Sequence, residues 1–149
     1  MKYANGNEYT GEWVADKMAG QGIYTWQDGR KYEGEFKDGS FAGQGVYTWP
    51  DGRHYVGGFQ NDRFSGHGVY TWSDGRRYEG GFQDDKFVGQ GVYIWPDGQR
   101  YEGEFINDER SGKGIISWSD GRRYEMMRSE SRGDCSYNVD LCNRTRVIK

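Results

Sequence analysis

The hydrophobic positions of this chain recur every 23 residues. Within each period, an aromatic residue, several glycines and a second aromatic pair return in the same order. A period of about 20 to 50 residues is typical of stacked units, because one such unit cannot bury its own apolar side chains. Tyrosines keep this register at Tyr9, Tyr32, Tyr55, Tyr78, Tyr101 and Tyr124, and tryptophans keep it at Trp26, Trp49, Trp72, Trp95 and Trp118.

Each period predicts two β-strands. Along residues 31–36, aromatic residues and glycine alternate with charged residues, which is the pattern of a strand with one buried face. Residues 46–49 are β-branched and aromatic and predict a second strand. The turn-forming residues between the two strands predict a loop over residues 37–44, so that the unit is a hairpin.

An Asp-Gly turn follows the second strand of every unit and leads into the next hairpin. Antiparallel neighbours lie about 4.8 Å apart, so one unit should advance about 10 Å along the array. The sequence therefore predicts an all-β fold over residues 1–125, an elongated single-layer antiparallel β-hairpin solenoid with partial units at both ends. Strand twist is expected to coil it.

Composition favours a thin structure with aromatic cover. Hydrophobic residues make up 34% of the chain, half of them aromatic, and the mean hydropathy is −1.07. That is too little aliphatic material for a thick core, whereas each aromatic ring can bury roughly 150 to 250 Å² of a sheet surface.

Residues 126–149 leave the period and predict a separate tail that is flexible or caps the last strand. Capping would use the apolar side chains of Met126, Met127, Val139 and Leu141. The two cysteines, Cys135 and Cys142, are expected to be reduced thiols.

Five short motifs in this register resemble the MORN (membrane occupation and recognition nexus) repeat family: YTGEW at 9–13, YEGEF at 32–36, YVGGF at 55–59, YEGGF at 78–82 and YEGEF at 101–105. A sixth unit begins at Tyr124. The resemblance implies a hairpin array that acts as an adaptor in the cytoskeleton, in cilia or at membrane junctions, or that binds phospholipid. The turn glycine is kept only at Gly39, and aspartates that can adopt the left-handed conformation replace it elsewhere, at Asp16, Asp62, Asp85 and Asp108.

Charge argues against nucleic acid and anionic lipid as partners. The tail holds five basic and three acidic residues, which leaves 15 basic and 20 acidic residues, a formal charge of −5, in the repeats. One basic column could support a lipid site, but it shares its strand face with glutamates, which favours a solvated face with cross-strand pairs. These residues are Lys31, His54, Arg77, Arg100 and Arg123, with Glu33, Glu79, Glu102 and Glu125.

The sequence predicts no catalytic residue, metal site or cofactor. His54 and His67 occupy different columns, and no nucleophile recurs beside either of them. The Gly-x-Gly triplets do not open a helix, so they are not nucleotide-binding loops. A non-enzymatic role is therefore expected.

Aromatic side chains are the candidate binding residues. They either pack on one another in place of a core or line an open groove for a protein partner, and the sequence leaves both interpretations open. The phenylalanines are expected in the hairpin loops. The candidates are Tyr47, Trp49, Tyr70, Trp72, Tyr93 and Trp95, with Phe41, Phe64 and Phe87 and the glutamates Glu12, Glu35 and Glu104.

The leading hypothesis is a non-catalytic scaffold that binds a protein or peptide with basic and apolar residues, in cytoskeletal or ciliary assemblies. Two alternatives remain. One is a membrane or phosphoinositide targeting module, and the other is self-association through strand edges, since residues 1–3 align with the end of a second strand and would leave an edge exposed. The expected location is cytoplasmic, including the cytoskeleton, cilia and the membrane periphery.

Overall fold

The structure is a computed structural model, and it describes residues 1–127 and 145–147. The described residues form one sheet of 12 antiparallel strands whose spatial order equals their order along the chain. The predicted all-β hairpin array is confirmed. The strands are β1 (Glu8–Val14), β2 (Lys17–Thr25), β3 (Lys31–Lys37), β4 (Ser40–Thr48), β5 (His54–Gln60), β6 (Arg63–Thr71), β7 (Arg77–Gln83), β8 (Lys86–Ile94), β9 (Arg100–Ile106), β10 (Glu109–Ser117), β11 (Arg123–Met127) and β12 (Thr145–Val147).

The hairpin loops are shorter than the sequence suggested. The predicted loop over residues 37–44 is a two-residue turn at Asp38 and Gly39, and β4 begins directly after it. The register shifts between Gly34 and Glu35, where β4 carries two extra residues, 43 and 44. A bulge that holds Gly43 in the left-handed region, at φ 54°, absorbs the turn-forming composition that had indicated a loop.

The turn aspartates behave as expected. Asp16, Asp62, Asp85 and Asp108 all have positive φ, between 65° and 70°. The prediction that aspartate can replace the turn glycine is confirmed.

The two faces of the sheet differ in composition because side chains alternate along each strand. One face, called here the aromatic face, carries the tyrosine, phenylalanine and tryptophan side chains of every unit. Cross-strand pairing aligns Tyr32 with Tyr47 and Phe36 with Phe41 on this face. The opposite, charged face carries residues such as Lys31 and Glu33.

The inner rings of the aromatic face replace a core. They are fully or almost fully buried: Tyr9, Tyr32, Tyr55, Tyr78 and Tyr101 with Phe36, Phe59, Phe82 and Phe105. The Tyr32 hydroxyl donates a hydrogen bond of 2.7 Å to the Glu35 carbonyl oxygen, and the ring crosses Gly45, where a Cβ would lie 2.5 Å from that hydroxyl. Glycine is therefore required below each ring.

The first residues repeat the architecture of the later units. The Tyr3 N–H donates to the Asn7 carbonyl, as the Trp26 N–H donates to the Arg30 carbonyl. Lys2 pairs with Glu8, and Met1 and Tyr9 exchange hydrogen bonds. Residues 1–2 therefore cover part of the β1 edge that the sequence had predicted to be exposed.

At the other end, β11 continues through Met127 and β12 pairs with it. The predicted tail, 126–149, lies mostly outside the described residues, as do Val139, Leu141, Cys135 and Cys142. The capping and thiol predictions remain predictions.

Candidate partner-binding face

Tyrosine and tryptophan alternate across the array as one continuous series, called here the outer rings. From Tyr24 to Trp95, successive ring centroids are 4.4 to 5.5 Å apart. Tyr47 is buried, at 8% exposure, and the other outer rings are half-buried. These rings pack on the inner rings, and no second layer of described residues covers them. The outer rings are Tyr24, Trp26, Tyr47, Trp49, Tyr70, Trp72, Tyr93 and Trp95.

The phenylalanines that were expected in loops lie on strands instead. Phe41 pairs with Phe36 across the hairpin and stacks on the inner ring Tyr32 with a centroid distance of 4.0 Å. It also meets Trp26 edge to face at 5.7 Å. Phe64 and Phe87 repeat these contacts in the next two units. The predicted loop surface is wrong, because the shorter turn places these rings on the aromatic face.

The glutamates do not share a groove with the rings. Strand alternation places Glu12, Glu35 and Glu104 on the charged face. Glu35 accepts a hydrogen bond from the Gln44 N–H at 2.7 Å, and Glu12 accepts one from the Gln21 N–H at 3.0 Å. These two carboxylates satisfy the backbone of the bulge, so a single groove of rings and glutamates, as the sequence suggested, is not formed.

Arginines of the Asp-Gly-Arg loops are a feature that sequence reasoning missed. The Arg30 guanidinium lies over the Trp26 ring, with Cζ 4.8 Å from the centroid. Its Nε donates to Asp28 Oδ2 at 2.8 Å, and its terminal nitrogen donates to the Tyr47 hydroxyl at 3.1 Å. The recurrence of arginine two residues after four of the five Asp-Gly loop aspartates was the available signal. Arg53 and Arg76 repeat the arrangement.

The loop aspartates are held in their charged form. The Arg30 backbone N–H, together with the Arg30 side chain, lowers the pKa of the Asp28 carboxyl below its usual value. The same causes lower the pKa values of Asp51, Asp74 and Asp120. At neutral pH each of these loops therefore holds an ion pair between its aspartate and its arginine, next to a tryptophan ring.

The charged face pairs its own charges mainly along single strands. Lys31 lies 3.2 Å from Glu33, Arg77 lies 3.0 Å from Glu79 and Arg100 lies 3.3 Å from Glu102. These partners are two residues apart on one strand, whereas His67 and Glu79, 3.8 Å apart, form a cross-strand pair of the kind predicted. In the third unit Val56 replaces the glutamate, and Val46 and Val56 are 38% and 45% exposed.

Two features are absent from the part of the chain that the structure describes: a metal-binding cluster and a membrane-spanning helix. That part contains no group of three or more histidine, cysteine or acidic side chains that could hold a metal ion. Residues 1–127 and 145–147 contain strands and turns, and no helix among them is long and apolar enough to span a bilayer. His67 lies 3.8 Å from Glu79 at the surface.

Comparison with known families agrees with the geometry. The model of the MORN repeat matches five times, at residues 9–29, 32–52, 55–76, 78–100 and 101–122. Each match covers one hairpin and the Asp-Gly loop after it. No curated protein sequence matches the chain. Because the five matches together span most of residues 9–122, the chain belongs to the MORN repeat family.

Proposed function

We propose that this chain is a non-catalytic adaptor that binds a partner polypeptide along its aromatic face. MORN repeats are in general binding modules for proteins and membranes. The observation that supports a protein partner is the unbroken series of outer rings, all of which except Tyr47 are half-buried. Partly exposed, contiguous aromatic surface of this kind is typical of protein-binding sites.

The partner is expected to combine apolar and basic residues. The edge of the array formed by the hairpin turns is acidic, with Asp38, Asp62, Asp84, Asp85 and Asp108 at the surface. An acidic rim beside aromatic rings attracts basic side chains, while apolar side chains contact the rings. The glutamates Glu12, Glu35 and Glu104 point to the other face, so the turn aspartates take the role first assigned to them.

The repeat geometry suggests an elongated partner. One unit advances about 10 Å, so contacts from Trp26 to Trp95 extend over about 30 Å, the length of about nine extended residues. The proposed cellular setting is cytoplasmic, in cytoskeletal or ciliary assemblies or at the membrane periphery.

The test exploits two substitutions that the chain itself contains. The fifth unit has Arg110 where the second, third and fourth units have phenylalanine, and Ile116 where all four preceding units have tyrosine. The double variant Phe64→Arg, Tyr70→Ile therefore introduces residues that fit this fold, removes two rings from the middle of the face, and adds a positive charge that repels a basic partner.

Wild type and variant are compared as baits in cytosolic extract, with bound proteins quantified by mass spectrometry. We expect the specific partner to be depleted by about tenfold or more on the variant, as at an interface hot spot. A matched control, Val56→Glu, changes the charged face to the residue that the second, fourth and fifth units have there. It should capture the partner as well as the wild type does.

The result that contradicts the proposal is equal capture by wild type and aromatic variant with loss on Val56→Glu. Circular dichroism of all three proteins checks folding. Flotation with anionic vesicles tests the targeting alternative, and light scattering over a range of concentrations tests self-association. Salt-sensitive flotation or a concentration-dependent dimer mass would favour those alternatives.

A further inference from the structure

The Asp-Gly-Arg loops hold a guanidinium in the same way four times. Each arginine Cζ lies 4.8 to 5.2 Å from the centroid of the preceding tryptophan ring, and each Nε lies 2.7 or 2.8 Å from the loop aspartate. Four copies of one arrangement define the geometry that this loop gives to a guanidinium. The sets are Trp26, Asp28 and Arg30; Trp49, Asp51 and Arg53; Trp72, Asp74 and Arg76; and Trp118, Asp120 and Arg122.

The fourth unit keeps the loop but lacks the arginine, because Gln99 takes its place. The backbone is unchanged. The Trp95 N–H donates to the Gln99 carbonyl at 2.8 Å, and the Gln99 N–H donates to Asp97 Oδ1 at 2.9 Å. Gly98 has φ 91°, close to the 94° to 99° of the four other loop glycines. The aromatic ring and the carboxylate are therefore in place without the cation.

Charge at this loop is left unbalanced within the described residues. No described arginine or lysine lies over the Trp95 ring or forms an ion pair with Asp97, whereas the other four tryptophans and aspartates have both contacts. Glutamine is neutral and cannot neutralise the Asp97 carboxylate. A tryptophan face and a carboxylate held together without a cation attract a positively charged group.

Two further departures surround Trp95. Ile116 stands where the preceding units have a tyrosine; it is buried at 1% exposure and pairs with Tyr101 across β9 and β10. Arg110 stands where a phenylalanine would contact the tryptophan edge, and its guanidinium lies 5.3 Å from the centroid of the inner ring Tyr101. The series of outer rings therefore stops at Trp95. The surroundings of this ring differ from those of the other tryptophans at three positions, Gln99, Arg110 and Ile116.

We propose that Trp95 and Asp97 form a binding site for the guanidinium of an arginine side chain on a partner polypeptide. The partner's arginine would lie over the indole and donate to the Asp97 carboxylate, as Arg30, Arg53 and Arg76 do within the chain. The proposal rests on the proposed function in that a bound partner supplies this residue.

Arginine fits this site better than lysine does. A guanidinium is planar, stacks on an indole face and presents its N–H donors in a fixed fork, whereas an ammonium is a compact and strongly hydrated point charge. The four internal copies show the ring contact and the Nε contact made at once by a guanidinium. The formal charge of −5 on residues 1–125 further favours a cationic ligand.

The test uses N-acetyl-arginine amide as the probe and the indole N–H signals of the six tryptophans in a two-dimensional NMR spectrum of the full chain. The Trp95 signal is assigned with the variant Trp95→Phe. We expect this signal to shift progressively and saturably with the probe at constant ionic strength. N-acetyl-citrulline amide, which has the same shape without the charge, should be at least about tenfold weaker.

One variant should block the site at Trp95, and another should create an equivalent site at Trp49. Gln99→Arg supplies the chain's own guanidinium and should abolish the Trp95 response. Arg53→Gln copies the fourth loop into the second unit and should add a saturable response at Trp49. Gln99→Ala removes side-chain atoms without adding charge and should keep the Trp95 response.

Several results would overturn the proposal: no shift at Trp95, equal shifts with the arginine and citrulline probes, or an unchanged Trp95 response in Gln99→Arg. Arg110→Gln removes the neighbouring positive charge and should leave the response in place or strengthen it; loss of the response in that variant would contradict the assignment to Asp97. Failure here leaves the adaptor proposal intact, because that proposal is tested at Phe64 and Tyr70. If the aromatic variant loses the partner but the arginine probe gives no response at Trp95, the adaptor proposal stands and the arginine-site proposal fails.

Discussion

Phe41 and Asp62, which are 21 residues apart, are joined by two hydrogen bonds at the hairpin edge of the sheet. The Phe41 N–H donates to Asp62 Oδ1 at 2.8 Å, and the Asp62 N–H donates to the Phe41 carbonyl oxygen at 3.3 Å. Phe64 with Asp85 and Phe87 with Asp108 repeat the pair. The turn residue of one hairpin is thus bonded to the hairpin before it, so the aspartate links neighbouring units as well as forming the turn.

The Asp62 carboxylate should contribute to stability through this bond. Asp62→Ala removes the acceptor but keeps the Cβ in a left-handed conformation, and we expect a loss of about 1 kcal/mol in the free energy of unfolding. Asp62→Asn keeps an acceptor oxygen and should be nearly neutral. Asp62→Gly loses the bond but removes the backbone strain, so it should lie between the two. Urea denaturation followed by circular dichroism measures the order, and an alanine variant as stable as the asparagine variant would contradict it.

The crossing of tyrosine rings over glycine predicts a much larger effect. A Cβ at Gly68 would lie 2.4 Å from the Tyr55 hydroxyl, and that tyrosine is fully buried and donates to the Gly58 carbonyl at 2.8 Å. Gly68→Ala must displace the ring and break the bond. We expect a destabilisation of more than about 3 kcal/mol, measured by urea denaturation.

Gly66→Ala is the matched control for that variant. A Cβ at Gly66 meets no atom within 4 Å, although φ is 73°. It should cost about 1 kcal/mol, the usual penalty for a side chain in the left-handed region. Equal destabilisation by the two substitutions would mean that the ring above Gly68 adds nothing to the usual cost of replacing a glycine.

The repeat period predicted the strands and their faces, but it did not predict the bulges. The alternation along 31–36 identified the strand face of Tyr32 and Phe36, since strand geometry fixes it. The bulge at Gly43 was not predicted, because bulge and turn share the same residue types. That error placed Phe41 in a loop when it is stacked on Tyr32.

The candidate binding face was predicted only in part, because some of its residues are identified by their contacts in the folded sheet and not by their recurrence in the sequence. The outer rings were found because they recur, and the arginines beside them were missed because their role depends on a tryptophan four residues earlier and a tyrosine 17 residues later. Such contacts arise only when the strands are paired. Glu35 was misassigned to the groove since its partner, the Gln44 N–H, is a backbone group that the sequence does not single out.

Buried tyrosines should make the fold sensitive to alkali. Burial, as the main cause, raises the pKa of Tyr78 to about 12, above the value of about 10 in an unfolded chain. An acid whose folded pKa is raised contributes stability that is complete below pH 10 and is lost as the pH rises from 10 through about 12. Burial also raises the pKa values of Tyr32 and Tyr55.

Absorbance at 295 nm as a function of pH, recorded with circular dichroism, measures this effect. The buried tyrosines should ionise above pH 10, together with loss of the sheet signal. Ionisation of all tyrosines in a single step near pH 10 with the sheet retained would contradict the role of burial.

The Asp-Gly-Arg loops should respond to acid in the opposite direction. The Arg76 backbone N–H, with the Arg76 side chain, lowers the pKa of the Asp74 carboxyl below the unfolded value of about 3.9. A carboxyl with a lowered folded pKa contributes stability that is present above pH 3.9 and is lost as the pH falls through the folded pKa. Arg76→Gln removes the Nε contact of 2.7 Å, so the Asp74 pKa should rise and the variant should lose less stability between neutral and acid pH than the wild type does. Carboxyl carbon chemical shifts across a pH titration measure the pKa directly. An Asp74 pKa that is the same in both proteins would mean that the loop backbone alone holds the carboxylate charged, and that the guanidinium over Trp72 is bound by the ring.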